Sequence, residues 1–412
     1  MRKESVSYWL RTVPKYPLSR DVPSSADVVV VGGGLLGAAT CYWLARAGIR
    51  AVLLERTAIA AGATGRNGGF VRAGPAGSYA EAITRLGHET ARQVMELTLE
   101  SRALLRQVVQ EEAIACDYRE PGTLRFAITE AQGEQQRQEI ALLQSDGFPA
   151  AWLDRGQVQE LLPVPLGPEI LGARFRPEQG LVHSARLVHG LIHAAVRHGA
   201  QVYQADVQSL AREEGCVRLR TSQGSLLTPT AVVAVNAWTS RLLPELTSLI
   251  VPVLEQMLAY EPLPPLFSMG IGVDLVDGEY MQQTPSGHML IGGCGTIEPN
   301  AGFGVWESLP TEPVQQAIEQ VLPRLFPSLA SQLRVVQRWA GLLGYTTDLH
   351  PIVDAVPTLP GVFFVGGFSG HGMPFGMRLG QLLAAAVTQG SLPPQLRPFR
   401  LDRPSLTRWE LP

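Results

Sequence analysis

The sequence predicts an α/β protein, a Rossmann-like dinucleotide-binding domain joined to a second, mostly antiparallel β-sheet domain. Three observations carry that prediction. A glycine-rich turn follows an apolar strand near the N-terminus, two more glycine-rich segments lie further along, and between about 251 and 333 the chain turns to Pro-bounded, alternating strands.

Composition sets the bounds. A chain of 412 residues, 45% of them hydrophobic, can bury a large core and build two or three domains. A formal net charge of -3 leaves no broad basic field, so no nucleic-acid partner is expected. Cys41, Cys116, Cys216 and Cys294 lie far apart without CxxC spacing, which argues against a zinc site or disulfide framework. They read as buried small hydrophobes in a cytoplasmic protein. The first residues carry no continuous apolar run, so neither a signal peptide nor a membrane span is expected. The only lysines are Lys3 and Lys15, so a role needing a lysine in the core is unfilled.

The elements follow in order. Residues 1–23, rich in Pro and Ser, read as an irregular lead-in packed on the surface. A strand over 27–31, a helix over 35–47 and a strand over 49–55 form a βαβ unit. One or two long helices span 79–113, and an alternating strand spans 122–128. A helix over 185–198, a strand over 201–205, a hairpin over 207–227 and an apolar strand over 231–235 come next. Strands at 278–283 and 288–291 and a helix near 314–321 belong to the second domain, and the chain closes with a strand over 362–365 and a helix over 378–388. The nucleotide-binding domain is thus assigned to 24–85, 152–250 and 334–395, the second domain to 86–151 and 251–333, and a tail to 396–412.

The strongest local signal is GxGxxG at Gly32, Gly34 and Gly37, directly after the first strand. Gly32 permits the tight turn, Gly34 lets the backbone approach a pyrophosphate, and Gly37 allows close packing of helix on strand. The helix N-terminus at Leu35 and Leu36 supplies free N–H groups for phosphate. Glu55, ending the second strand, can accept hydrogen bonds from ribose hydroxyls. His189, His193 and His198 place two histidines at i, i+4, but no third ligand accompanies them, so no metal is expected.

Residues 63–70, with Thr64, Gly65, Arg66, Asn67, Gly68 and Gly69, form a second glycine-rich segment, and residues 366–376 form a third. Together with the first motif they resemble the FAD-binding segments of the D-amino-acid oxidase, glycine oxidase and sarcosine oxidase family, over nearly the whole chain. The opening Ser7-Tyr8-Trp9 and the run into residue 69 look most like the γ-glutamylputrescine oxidase branch. The resemblance implies a glutathione-reductase-like FAD fold whose second domain binds substrate. It implies that Gly32, Gly34, Leu35, Leu36, Gly37, Glu55 and Arg56 hold the ADP half. Thr64 to Gly69 lie along the pyrophosphate and flavin, and Val207 meets the adenine side. Asn236, Ala237, Trp238 and Gly341 join the cofactor site, and Gly367, Phe368, Ser369, Gly370, His371, Gly372 and Met373 face the isoalloxazine. A helix beginning near Pro374 aims its positive end at that turn.

Departures from the family refine the expectation. The flavin-linking cysteine of sarcosine oxidases and the carboxylate-binding arginine of glycine oxidases both align at or next to Leu343, so noncovalent FAD is expected and the usual carboxylate anchor is missing. The family lysine after the His-Gly pair is replaced by Pro374. A larger or less acidic amine is therefore expected as substrate. His371, His288 and Tyr345 are the candidate catalytic residues, with Tyr280 and Gln256 as further pocket candidates. The expected reaction passes a hydride from the carbon beside a neutral amine to flavin N5 and leaves an imine for water to hydrolyse, in a site poor in titratable groups. Dioxygen or another acceptor then takes the electrons. A flavin enzyme acting on hydroxy acids, an NAD-dependent dehydrogenase and a noncatalytic flavin-binding scaffold are the alternatives.

Overall fold

A computed structural model describes residues 5–410. Four consecutive valines, Val28–Val31, form a central strand with every side chain buried, as a parallel strand covered on both faces requires. Ala51–Glu55 and Thr230–Val233 flank it in parallel, and Gln201–Gln204 and Val362–Gly366 extend the sheet on either side. Ile352–Ala355 closes one edge, antiparallel. The helix Leu35–Arg46 packs against the helices Ser184–Arg197 and Gly376–Gln389, which completes the layer over one face of this nucleotide sheet.

The second sheet has eight strands, in the spatial order Val335–Tyr345, Val251–Pro262, His288–Gly292, Glu279–Gln283, Gly270–Val273, Thr123–Ala127, Gly172–Arg176 and Ala151–Asp154. Only the pairing of Gly270–Val273 with Thr123–Ala127 is parallel. Gly172–Arg176 and Val335–Tyr345 were assigned above to the nucleotide-binding domain, yet both hydrogen-bond within this large sheet, and so does Ala151–Asp154 at the boundary. Periodicity identifies a strand, but its partners are distant in sequence and are not named by it. The expected hairpin over 207–227 is a three-stranded meander, Val207–Glu213, Cys216–Thr221 and Gly224–Thr228. The long helical stretch divides at Gly87 into Tyr79–Leu86 and His88–Glu111.

Both chain ends are more embedded than their composition suggests. The lead-in contains a short helix, Tyr8–Arg11, capped by Ser7, with Tyr8 and Trp9 buried. It therefore does not merely pack on the surface. Toward the C-terminus, Leu396 and Phe399 are buried, and Arg403 forms a two-pronged ion pair with Asp348, at 2.7 and 3.0 Å. Burial by itself would raise the Asp348 carboxyl, but the hydrogen bonds and charge of Arg403 outweigh it and hold the group below its usual range. The pair's contribution is present above the ordinary carboxyl pKa and is lost as pH falls through the depressed one. Arg403→Met, which leaves Asp348 buried and uncompensated, is expected to cost about 3 kcal/mol of stability at neutral pH. Denaturant unfolding at pH 7 and pH 3 will show the deficit shrinking toward the acid side.

Candidate active site

A single cavity of about 620 Å³ runs between the two sheets. Gly32, Gly34, Leu35, Leu36, Glu55 and Arg56 line one part, and Thr64, Arg66, Asn67 and Gly68 follow. Val207, Asn236, Ala237, Trp238 and Gly341 are also in its wall, as are Phe368, Ser369, Gly370, His371, Gly372 and Met373. The first and last glycine-rich turns thus open onto one space.

The local chemistry suits a dinucleotide. The helix Leu35–Arg46 has no side-chain cap on Gly34 and no acid in its first turn, so its N-terminal N–H groups are left for an anion. Only Leu35 N–H is engaged, by Thr64 Oγ1 at 3.1 Å. Glu55 accepts from Gly33 N–H and Thr57 N–H, both at 2.8 Å, which fixes the carboxylate at the cavity wall. The helix Gly376–Gln389 likewise has no acid in its first turn, and it begins just past the Ser369–Met373 turn. At the Trp238 end, the guanidinium groups of Arg56 and Arg241 stack over that indole, 4.5 and 4.4 Å from its centroid. No cysteine lines the cavity, and Leu343 is in its wall.

Four residues assigned to the cofactor do not line the cavity. A Cβ on Gly37 would lie 1.9 Å from Gly32 O, one on Gly65 2.2 Å from Ala60 O, one on Gly69 2.4 Å from Val182 O, and one on Gly367 2.5 Å from Thr346 Cγ2. These glycines serve close packing behind the wall. Arg66 lines the cavity but aims Nε at Ala61 O and Nη1 at Ser5 O and Ala340 O, at 2.6 to 2.9 Å, so it ties the lead-in to the large sheet. Trp9 Nε1 donates to Asn67 O at 2.5 Å, bracing the same segment.

The catalytic candidates separate. His288 is not in the cavity; its Nδ1 faces Ser286 Oγ at 3.0 Å and Tyr8 Oη at 3.3 Å. Gln256 is buried on the far side of its strand, bonded to Thr311 and Gln315, because its neighbours Glu255 and Met257 have the cavity-facing parity. His371 is in the wall, yet its Nε2 faces Gly74 O at 2.9 Å, and burial, with Arg72 nearby, pushes its pKa down to about 3. It is neutral at physiological pH. Away from the cavity, His198 pairs with Glu112, and His193 packs on the Tyr16 ring.

Tyr345 is at the reacting end, with its hydroxyl donating to Glu255 Oε1 at 3.2 Å. A Cβ on Gly370 would lie 3.2 Å from that hydroxyl, so the Tyr345–Glu255 pair adjoins the C-terminal turn. Tyr280 packs its ring on Gly68, and burial raises its phenol. Arg72, Arg125, Asp274 and Asp277 complete this end, so the site is not poor in titratable groups. Burial lifts the Glu255 carboxyl to about 7, against the Tyr345 hydrogen bond and with Asp277 assisting. Arg125 pairs with Asp274 and faces Arg174 across the sheet. Burial, joined by the charges of Arg125 and Arg174 and opposed by Tyr280, lowers Arg72 to about 10; no carboxylate is among these neighbouring charges. Arg72 and Glu255 each carry a sequence signal. The first follows the second glycine segment by two residues, and the second is a lone acid within the apolar run 251–260.

Comparison with known proteins agrees with this geometry. The family model DAO, described as FAD dependent oxidoreductase, matches residues 27–386. Gamma-glutamylputrescine oxidoreductase of Escherichia coli (strain K12) is 27% identical over 409 residues, spanning 93% of this chain and 89% of that protein. Glycine oxidase of Geobacillus kaustophilus (strain HTA426) is 26% identical over 391 residues, 92% and 97% of the two chains. The crystal structure of glycine oxidase from Geobacillus kaustophilus superposes with a TM-score of 0.81 at 24% identity, over 92% of this chain and 99% of that one, a likeness of fold.

Proposed function

The chain belongs to the DAO family of FAD-dependent oxidoreductases, and from that premise we propose that it oxidises the carbon–nitrogen bond of an amine that also carries a carboxylate. FAD is the cofactor, and amines or amino acids with a CH–NH group are the donors. The observation that carries the finer reading is Arg72, a cavity-facing guanidinium whose neighbouring charges include no carboxylate. A substrate carboxylate supplies the missing partner through two parallel N–H···O bonds. The lost arginine at Leu343 is then replaced from a different strand, and the expectation of a less acidic amine gives way to a zwitterion.

Bound FAD supplies, at N5, the acceptor for the hydride on the carbon beside nitrogen, and water hydrolyses the resulting imine. The protein positions the two charged ends of the substrate on either side of Tyr280, whose phenol senses both Glu255 and Arg72. Leu343, Met257 and Phe70 supply apolar wall that excludes water. His371 joins Gly74 to the C-terminal turn and holds the wall in place rather than moving protons. Four free cysteines, three of them buried, support a cytoplasmic setting.

A second reading concerns the electron acceptor. Lys15, the one lysine among the described residues, is exposed and is not part of the cavity wall, which favours an acceptor other than dioxygen. One experiment addresses both readings. The holoenzyme is mixed anaerobically with glycine, sarcosine, L-proline, γ-glutamylputrescine and putrescine, and bleaching of the visible flavin band is followed before admitting air or a redox dye. At least one carboxylate-bearing amine is expected to bleach the flavin at least 10-fold faster than putrescine. Faster bleaching by putrescine than by every carboxylate-bearing compound overturns the proposal, and prompt recovery in air overturns the second reading.

A further inference from the structure

Glu255 is the one acid in the strand Val251–Pro262 that faces the cavity, and its surroundings are unusual for a carboxylate. Its Oε1 receives the Tyr345 hydroxyl at 3.2 Å, while its Oε2 lies 3.7 Å from the Cβ position of Gly295, a residue of the cavity wall. One oxygen is thereby held, and the other, beside the cavity wall, accepts no hydrogen bond among the described residues. Three titratable groups are electrostatically coupled to it. Tyr345 comes from the adjoining strand, Asp277 from the turn before Glu279–Gln283, and Tyr280 from that strand itself. Across the sheet its register partner is Gly341, covered by the Arg66 stem, whose guanidinium is directed to main-chain carbonyls. No cation neutralises Glu255 among these groups.

On the reading that the chain oxidises an amine, we propose that Glu255 is a catalytic base that takes a proton from the substrate's ammonium group, with Tyr345 positioning it. Amines enter as ammonium ions near neutral pH, and the adjacent carbon releases hydride only when the nitrogen lone pair is free. In the step, one N–H bond of the ammonium breaks, its electron pair stays on nitrogen, and the proton bonds to Glu255 Oε2. The products are a neutral amine and a neutral carboxylic acid, so no charge is stranded in the apolar cavity. The neighbouring groups cannot substitute. Tyr280 and Tyr345 are held protonated by burial, and the His371 ring is turned to the Gly74 carbonyl. A carboxyl raised to about 7 by burial is matched to this task, ionised often enough to accept and basic enough to hold the proton.

The test compares wild type with Glu255→Gln and Glu255→Asp as holoenzymes, using as probe the compound that bleaches wild type fastest in the panel above. Wild-type kcat/KM is expected to rise with pH and level off near 7. In Glu255→Gln it falls about 100-fold at pH 7, keeps rising past pH 7, and approaches wild type where the amine is deprotonated in solution. Glu255→Asp retains the levelling at a displaced pH. A readout apart from turnover is the visible spectrum of the substrate-free holoenzyme titrated from acid to alkali. A transition centred near 7 is expected in wild type, displaced upward in Tyr345→Phe and absent in Glu255→Gln. A Glu255→Gln enzyme whose kcat/KM still levels near 7, or whose deficit is the same at every pH, overturns the proposal. If no panel compound bleaches wild type, it is the amine-oxidation reading that fails, and persistence of the spectral transition in Glu255→Gln still refutes the role of Glu255.

Discussion

Gly37→Ala is expected to yield a chain that no longer retains FAD. The added Cβ would stand 1.9 Å from the carbonyl oxygen of Gly32 and 3.1 Å from its carbonyl carbon. Both are main-chain atoms, so no side chain can swing aside. Gly32 in turn cannot retreat, because its own Cβ position is 2.5 Å from Ala234 O, on the far side of the strand, and its φ is +111°. The helix Leu35–Arg46 must therefore lift from the sheet, carrying its N-terminal N–H groups away from the diphosphate position. The cost should exceed the roughly 1–3 kcal/mol usual for overpacking, and FAD affinity should fall by at least about 100-fold. The flavin-to-protein absorbance ratio of the purified variant, with its melting temperature, reads both. Gly133→Ala is the internal control. That glycine is in the helix Glu130–Ser145, its added Cβ meets nothing closer than 3.5 Å, and the substitution should raise stability by about 1 kcal/mol. A Gly37→Ala protein that keeps a full complement of FAD would show that the helix yields without penalty.

How far the sequence discloses this site depends on whether the determinant is local. The turn at Gly32 to Gly37 was legible because strand, turn, helix and second strand are contiguous, and each residue type answers to a local demand of backbone or phosphate. The C-terminal turn was legible for the same reason. What was not legible is which face of a strand meets the cavity. Gln256 was named and Glu255 was not, a slip of one residue that exchanges wall for core, because parity along a strand is fixed only by its sheet partners. His288 and His371 differed in the same way: both are single histidines beside glycines, and only the packing of distant segments puts one in the wall and the other against Tyr8. The polar, Pro-rich composition of the lead-in predicts a surface segment. Its place is set by contacts of Ser5, Ser7 and Trp9 with residues 65–67 and 340, which span up to 335 positions in sequence.

Arg72→Met is expected to lower kcat/KM for carboxylate-bearing amines by about 1,000-fold, with FAD content and melting temperature preserved. The preservation follows from the electrostatics of the free protein. Arg72 sits in the strand Phe70–Arg72 with Arg125 and Arg174 as repelling neighbours and its guanidinium 5.7 Å from the Phe70 ring centroid, and methionine, of similar length, keeps the packing on that ring while removing the repelled charge. Guanidinium groups that steady this structure have acceptors, a carboxylate for Arg125 and Arg174 and main-chain carbonyls for Arg66 and Arg155, whereas the Arg72 side chain donates to neither among the described residues. The loss in catalysis follows from the opposite balance in the complex. A desolvated carboxylate deprived of its bidentate partner loses roughly 2–5 kcal/mol, and 4 kcal/mol corresponds to about 1,000-fold. The discriminating measurement is a pair of substrates differing only in the carboxylate, such as sarcosine and its amide. Wild type should strongly prefer the acid, whereas the variant should prefer the amide or make no distinction, since the cation that remains at this end, Arg125, is already paired with Asp274. Equal losses on both compounds would mean that Arg72 acts through cavity shape, and the carboxylate would have to be held from elsewhere.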